Sequence, residues 1–323
     1  MLENQWKYPD RPELGLMDIV SNMIRALDVT DSSSLPDIRR GSTIVVGSDY
    51  SGQHATTEYE SLAFVMGDIE RCRNWMVRRT SIRARSLNDG RRLSYKTLRD
   101  KKRQSVLFDF LDAANEIPGI LLVILTQKSI ESLFKVSGRI ESTDPEIASL
   151  AHWKPHVVEK LLRIIHFLGL FLAGLSREGQ DVLWITDEDE IAANVQKHRE
   201  LTDAFGMISS HYLQHNLRHV RVATTASDTG KRDVEDFVAI ADLAAGALCD
   251  VMSAYFQEGV LPTPNLTLPA PAKLDKKALN LLYWFSDRGQ PLKRLVLCIE
   301  PVEGSTKLRM KHLTFEGFST GSA

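Results

Sequence analysis

The sequence of 323 residues is 43% hydrophobic and 25% charged, the composition of an ordinary soluble globular protein with one large domain or two. A formal net charge of −2 does not by itself indicate any class of partner. The three cysteines, Cys72, Cys249 and Cys298, form no CxxC pair, which excludes a disulfide framework and a zinc-ligand pattern and predicts a reducing cytoplasm.

The first half of the chain predicts a helix, then strands and helices in a mixed order. Residues 1–40 form a leader with one amphipathic helix. The strands are short apolar or β-branched runs, and the helices have apolar residues at helical spacing. The predicted elements are a helix at 14–27, strands at 43–48 and 61–66, a basic helical segment at 69–86, a short strand at 92–96, a helix at 97–116 and a strand at 120–125.

Strands and helices alternate in the second half. The predicted elements are a helix at 145–175, a strand at 182–186, a helix at 188–205, a strand at 219–223 and a helix at 234–256. Residues 261–271 contain four prolines in eleven residues and mark a boundary. Beyond them a helix at 276–285 and a hairpin of 295–300 with 307–315 are expected.

This order predicts an α/β fold with a mixed sheet flanked by helices, antiparallel early and parallel later. The expected domains are an N-terminal helical leader (1–40), an α/β domain (41–260), and a Pro-rich linker with a small C-terminal α+β appendage (261–323).

No membrane partner is expected. The N-terminus lacks the layout of a signal peptide. The most lipid-like stretch, 161–175, is too short to span a bilayer and contains Arg163 and His166. We interpret it as a buried helix or as an interface helix for a homodimer or a partner protein.

Three aspartates lie where a charge is uncommon. Asp49 and Asp187 each end an apolar strand, and Asp242 is the only charge in the apolar run 237–249. The carboxyl ends of parallel strands meet at one edge of an open sheet. Three carboxylates there would bind Mg²⁺ or Mn²⁺ and make a candidate site of phosphoryl transfer.

Each aspartate also has a structural alternative. Asp49 precedes Tyr-Ser-Gly and suits a turn that bonds its own backbone. The acidic run Asp187, Glu188 and Asp189 would stabilise the N-terminus of a following helix, where negative charge is favourable. Asp242 would pair with one of the basic residues of the chain.

These motifs together resemble a bacterial and phage family of RNase H-like fold, catalogued as domain of unknown function 3800. The family's opening Tyr-Ile-Asp-Glu-Ser-Gly is similar to residues 46–52, with Tyr50 in place of the glutamate. Its Glu-Leu-Lys segment is similar to 93–96, again without the glutamate. Its late Leu-Gln-Leu-Ala-Asp-Leu motif is similar to the segment around Asp242. The resemblance covers about residues 42–256.

The resemblance implies that Asp49, Asp187 and Asp242 are catalytic metal-binding carboxylates and that Lys96 is an accessory catalytic cation. The two family glutamates are replaced, so a complete two-metal site would need a fourth ligand from elsewhere. Glu60, Glu188, Asp189 and Asp236 are the candidates, with Glu188 and Asp236 preferred. The distribution of the family implies a bacterial or phage setting, with antiviral defence as one role.

The segment from Arg71 to Arg103 contains thirteen Lys and Arg residues and two acidic residues, which gives it a local charge of +11. The rest of the chain therefore has a net charge of about −13. A local excess of positive charge of this size favours binding of a polyanion. Arginine predominates among these cations before residue 95, and its planar guanidinium group matches the geometry of phosphate groups. The alternative is a helix that pairs with acidic faces of the same protein. The residues expected to contact DNA or RNA are Arg78, Arg79, Arg83, Arg91, Arg92, Lys101, Lys102 and Arg103.

The leading hypothesis is therefore a metal-dependent, RNase H-like nuclease acting on DNA or RNA. The rival is a catalytically degenerate module of the same fold that binds nucleic acid or a partner protein. The missing glutamates favour the rival. Retention of the isolated Asp242 favours the enzyme.

Overall fold

A computed structural model describes residues 4–134, 148–260, 263–267 and 273–316. Within these ranges the fold is α/β, with a mixed sheet flanked by helices, consistent with an RNase H-like fold, as predicted. The helices are α1 (Leu16–Thr30), α2 (Arg73–Ser86), α3 (Lys101–Asn115), α4 (Pro155–Leu175), α5 (Val195–Tyr212), α6 (Asp233–Gln257) and α7 (Lys276–Ser286). The strands are β1 (Thr43–Ser51), β2 (Tyr59–Asp68), β3 (Gly119–Gln127), β4 (Asp181–Thr186), β5 (His219–Thr224), β6 (Asn265–Thr267), β7 (Leu292–Pro301) and β8 (Leu308–Glu316).

Three local predictions were wrong. Strand β1 continues through Ser51, so Asp49 lies inside the strand and not in a turn. Lys96 lies at the start of a 3-10 helix, Lys96–Arg99, and not on a strand. Helix α5 begins at Val195 and not near 188, because the side chain of Asn194 caps it by accepting a hydrogen bond from the Lys197 amide. The predicted start of α4 near 145 falls outside the described residues.

The chain forms two compact units that differ from the three expected domains. Unit 1 comprises residues 1–46 and 131–227, and unit 2 comprises 47–130 and 228–323. Strand β1 contributes its first residues to unit 1 and the rest to unit 2. The leader thus belongs to unit 1, and the expected appendage belongs to unit 2.

Unit 1 has the strand order β5-β4-β1, in which β4 and β5 run parallel, as predicted for the later strands. The leader packs into this unit by inserting Trp6 against helix α4. A Cβ at Gly174 would lie 2.3 Å from the Trp6 ring, so the helix needs glycine at this contact. The Trp6 amide donates to Asp28 at 2.8 Å, and its indole donates to Ser21 at 3.0 Å. These bonds fix the first residues of the leader to its own helix, α1.

Unit 2 has the strand order β1-β2-β3-β7-β8-β6. Strand β3 is buried along nearly its whole length, with β2 antiparallel on one side and β7 parallel on the other. Strands β7 and β8 form the predicted antiparallel hairpin. Because β7 pairs with β3 from Leu292 to Ile299, the C-terminal segment is part of this sheet.

Two apolar helices form much of the core. Helix α4 is almost entirely buried, as predicted for its apolar stretch. Helix α6 is long and apolar enough to cross a membrane by composition alone, but 83% of its most apolar window is buried inside the fold. That burial is the pattern of a core helix in a soluble protein.

Gly52 closes the strand–Asp–x–Ser–Gly motif for a steric reason. Its φ of +95° lies in the left-handed region, which disfavours side chains. A Cβ there would also lie 2.2 Å from the Tyr59 carbonyl oxygen and 3.0 Å from Cys249 Sγ. The glycine therefore allows β1, β2 and α6 to approach each other.

We expect Gly52→Ala to lower the free energy of unfolding by about 2–4 kcal/mol, because strain at positive φ adds to a clash with backbone. Gly304→Ala is the matched control, since Gly304 has a φ of +69° but open space around it. The control should cost only about 1 kcal/mol. Urea denaturation followed by circular dichroism measures both, and equal losses would contradict the steric explanation.

Candidate nucleic-acid interface and carboxylate positions

Asp187 lies in unit 1, at the carboxyl end of β4. Its Oδ1 accepts two hydrogen bonds, one from the Thr225 hydroxyl at 2.7 Å and one from the Glu188 amide at 2.9 Å. Thr225 directly follows β5, so the ends of the two parallel strands are joined through this carboxylate. Glu188 beside it is exposed. Asp189 instead pairs with Lys160 at 2.6 Å.

Asp49 and Asp242 lie in unit 2. Asp49 is 9% exposed within β1, and Asp242 is half-buried on α6. The described part of unit 1, and likewise that of unit 2, includes no group of three His, Cys, Asp or Glu side chains arranged to hold a metal ion. The expected three-carboxylate cluster is therefore not contained within either unit.

Asp236, a candidate fourth ligand, is part of a buried ion cluster. Its carboxylate is 1% exposed and accepts hydrogen bonds from Arg79 at 3.0 Å and Arg83 at 2.8 Å. Arg79 also pairs with Asp233. A carboxylate held by two guanidinium groups is already neutralised and has little lone-pair capacity left for a metal. The structure thus gives Asp236 a structural role.

The same cluster corrects the expectation for the basic segment. Arg79 is 4% exposed and Arg83 is 11% exposed, so these side chains hold α2 against α6 and do not face a nucleic acid. Five other cations of the segment are also paired within unit 2. These pairs are Arg78 with Asp112 and Glu116, Arg85 with Asp109, Arg91 with Asp89, Lys102 with Asp89, and Arg103 with Asp89 and Asp100. For helix α2, the alternative of internal pairing is the one that the structure supports.

A basic pocket remains at the surface of unit 2, beside the start of α3. Its volume is about 420 Å³, and it is lined by Arg91, Arg92, Lys96, Thr97, Arg99, Asp100 and Arg103. The lining therefore contains five cations and one carboxylate. Lys96 and Arg99 are exposed, and among the described residues no carboxylate lies within 4.0 Å of either. Lys101, next in the chain, is also exposed.

The backbone of this pocket is held from inside the protein. The Arg103 side chain is 2% exposed and donates to the Arg92 carbonyl at 3.1 Å. Arg83 donates to the Arg91 carbonyl at 2.7 Å, and Arg232 donates to the Gly90 carbonyl at 2.9 Å. Three buried or half-buried guanidinium groups thus fix consecutive carbonyls of the loop that carries the pocket cations.

Tyr95 anchors the other side of the pocket on helix α6. Its amide donates to Asp242 at 2.5 Å, and its hydroxyl donates to Asp250 at 2.6 Å. Gly246 lies between these two residues at the same helical spacing, where a Cβ would be 2.3 Å from the Tyr95 ring. The ammonium of Lys277 lies 3.7 Å from the ring centroid. The late motif around Asp242 is therefore a docking face for Tyr95.

Burial shifts the pKa values of the Tyr95 hydroxyl and the Lys277 ammonium. Burial raises the pKa of Tyr95 far above its ordinary value, and the hydrogen bond to Asp250 raises it further. Burial lowers the pKa of Lys277, although Asp250 and Asp275 oppose that change. The phenol therefore stays protonated as a donor at neutral pH.

Sequence reasoning did not identify Arg99, Asp250 or the role of Tyr95. The signal for the docking face was present as Asp242, Gly246 and Asp250 at intervals of four residues, which places them on one side of a helix. Arg99 carried no signal of its own, since only the local fold makes it line the pocket with Lys96. No family model matches the chain, and no curated protein matches it.

We expect Gly246→Ala to destabilise the protein by about 1–3 kcal/mol, because the methyl group would displace the Tyr95 ring. Gly206→Ala is the control, since Gly206 is a helical glycine on α5 with nothing within 4 Å. That change should stabilise the protein by roughly 0.5–1 kcal/mol through helix propensity. Thermal unfolding measures both, and a stabilised Gly246→Ala variant would contradict the docking contact.

Proposed function

We propose that this protein binds DNA or RNA through the basic pocket of unit 2. The observation that carries the proposal is the local excess of charge, five cations to one carboxylate, in a concave surface with Lys96 and Arg99 unpaired among the described residues. Unpaired cations crowded together repel each other, and a bound polyanion relieves that repulsion. Internal pairing, which accounts for helix α2, does not account for these two side chains.

The chemistry of the pocket matches phosphate oxygens. Arginine presents a planar fork of donors that suits phosphate, and lysine supplies a compact point charge. Contacts of this kind position a nucleic acid without reading its sequence. The proposed activity is therefore binding with little sequence preference and with strong dependence on salt. We place it in the bacterial cytoplasm, and a role in antiviral defence is part of this proposal.

The double variant Lys96→Ala/Arg99→Ala should weaken binding of a labelled oligonucleotide by about tenfold or more. Because each lost phosphate contact removes about one released counterion, the slope of log K against log salt should also fall by about 2. Both side chains are exposed, so the fold should be retained. Fluorescence anisotropy over a series of salt concentrations gives both quantities.

The matched control is Arg78→Ala/Arg85→Ala, which also removes two positive charges. Both of these side chains pair with carboxylates between α2 and α3 and do not line the pocket. The control should keep nearly all of the salt slope. If both variants lose affinity equally, binding depends on overall charge and the pocket is not the site.

A metal-dependent nuclease is the second candidate function, favoured by one observation. Asp49 is a carboxylate buried to 9% exposure within unit 2, the unit that also contains Asp242 and the basic pocket. Mg²⁺ is commonly held by one or two carboxylates together with water and substrate phosphates. Asp49 and Asp242 would supply the protein ligands, and the metal ion would stabilise charge on the phosphate.

Cleavage of labelled single- and double-stranded DNA and RNA in Mg²⁺ or Mn²⁺ tests this candidate. Asp49→Asn/Asp242→Asn is the informative variant, because asparagine at 242 keeps an oxygen acceptor for the Tyr95 amide while removing the charge. Under the nuclease hypothesis, wild type cleaves and the variant binds without cleaving. Binding by wild type without cleavage in either metal would support the binding module instead.

A further inference from the structure

We infer that the basic pocket binds a terminal phosphate group at the end of a nucleic acid strand, and not an internal phosphodiester. This inference rests on the proposed nucleic-acid binding and names the part of the ligand that enters the pocket. It follows from how much charge the pocket concentrates, how large it is and how firmly the backbone that carries its cations is held.

The first argument is the density of charge. An internal phosphodiester carries one negative charge, and neighbouring phosphates of one strand lie about 3.4 Å apart along the helix axis of a duplex. A phosphomonoester carries about −1.5 to −2, with three acceptor oxygens on one atom. The pocket places five cations and one carboxylate around a single concavity, a net lining charge of +4. Such a lining suits a group with several charges at one point.

Internal pairing leaves enough of that charge for a ligand. The carboxylates of Asp89 and Asp100 both lie within ion-pair distance of Arg103, which is buried and positions the loop. Arg91 is 3.8 Å from Asp89, a weak pair at an exposed position. Lys96 and Arg99 have no such carboxylate among the described residues. These last two side chains are the main candidates to contact the terminal phosphate.

The second argument is size. A volume of about 420 Å³ falls within the range of pockets that enclose small ligands, roughly 300–1,000 Å³. The last nucleotide of a strand fits a pocket of this size. The volume is therefore sufficient for a strand end.

The third argument is preorganisation. The loop carbonyls of Arg91 and Arg92 are fixed by Arg83 and Arg103, and Tyr95 is docked on α6. The cations are thus carried on a backbone that needs no reordering when a ligand arrives. A preorganised backbone lowers the conformational entropy that is lost on binding.

The test compares oligonucleotides of one sequence that differ only at their ends: hydroxyl at both ends, 5′-monophosphate, 5′-triphosphate and 3′-phosphate. Anisotropy of an internally labelled strand gives each affinity. We expect at least one phosphorylated end to bind about tenfold tighter or more than the hydroxyl form, since new charge-assisted hydrogen bonds form. Inorganic tripolyphosphate should compete with that strand.

The Lys96→Ala/Arg99→Ala variant should remove the preference for phosphorylated ends, whereas Arg78→Ala/Arg85→Ala should keep it. Equal affinity of wild type for all four ends would overturn the inference and leave the proposed nucleic-acid binding intact. Failure of wild type to bind any of the strands would overturn the proposed function itself. A preference that survives in the Lys96→Ala/Arg99→Ala variant would place the terminal phosphate outside this pocket.

Discussion

The docking of Tyr95 on helix α6 is the contact on which the candidate site of unit 2 depends. The ring packs against Gly246, where a side chain would leave no room for it. Asp242 and Asp250, one helical turn before and after this glycine, accept hydrogen bonds from the amide and the hydroxyl of Tyr95. The segment from Tyr95 to Arg99 has only a short 3-10 helix of its own to stabilise it. Its position therefore comes from α6, a buried core helix, and the positions of Lys96 and Arg99 come with it.

Electrostatic pairing decides which part of the basic segment is available to a ligand. A charge is costly to bury unless it is paired, so Arg79 and Arg83 lie inside the fold only because Asp236 lies there too. The same reasoning applies to Arg103, which is buried beside Asp89. A count of charges along the sequence cannot separate these structural cations from exposed ones. The structure shows that five of the thirteen basic residues line one pocket.

Much of the fold could be predicted, because apolar runs and helical spacing report burial directly. The continuous apolar run at 120–125 predicted a buried strand. Strand β3 is buried there and pairs with β2 on one edge and with β7 on the other. The place of β7 could not be predicted, since parallel pairing with β3 joins segments more than 160 residues apart. Nor could the 3-10 turn at Lys96, because alternation over so few residues does not separate a strand from a turn held by tertiary contacts.

The position of Asp242 also changes how its presence in an apolar helix is interpreted. From the sequence, a lone carboxylate there favoured catalysis, because a non-catalytic protein would have no need to retain it. The hydrogen bond from the Tyr95 amide supplies such a need, since an unpaired buried amide would be destabilising. Retention of Asp242 is therefore expected of an enzyme and of a binding module alike. Asp49 lies inside β1 at 9% exposure, so the turn role that its sequence context suggests does not apply to it.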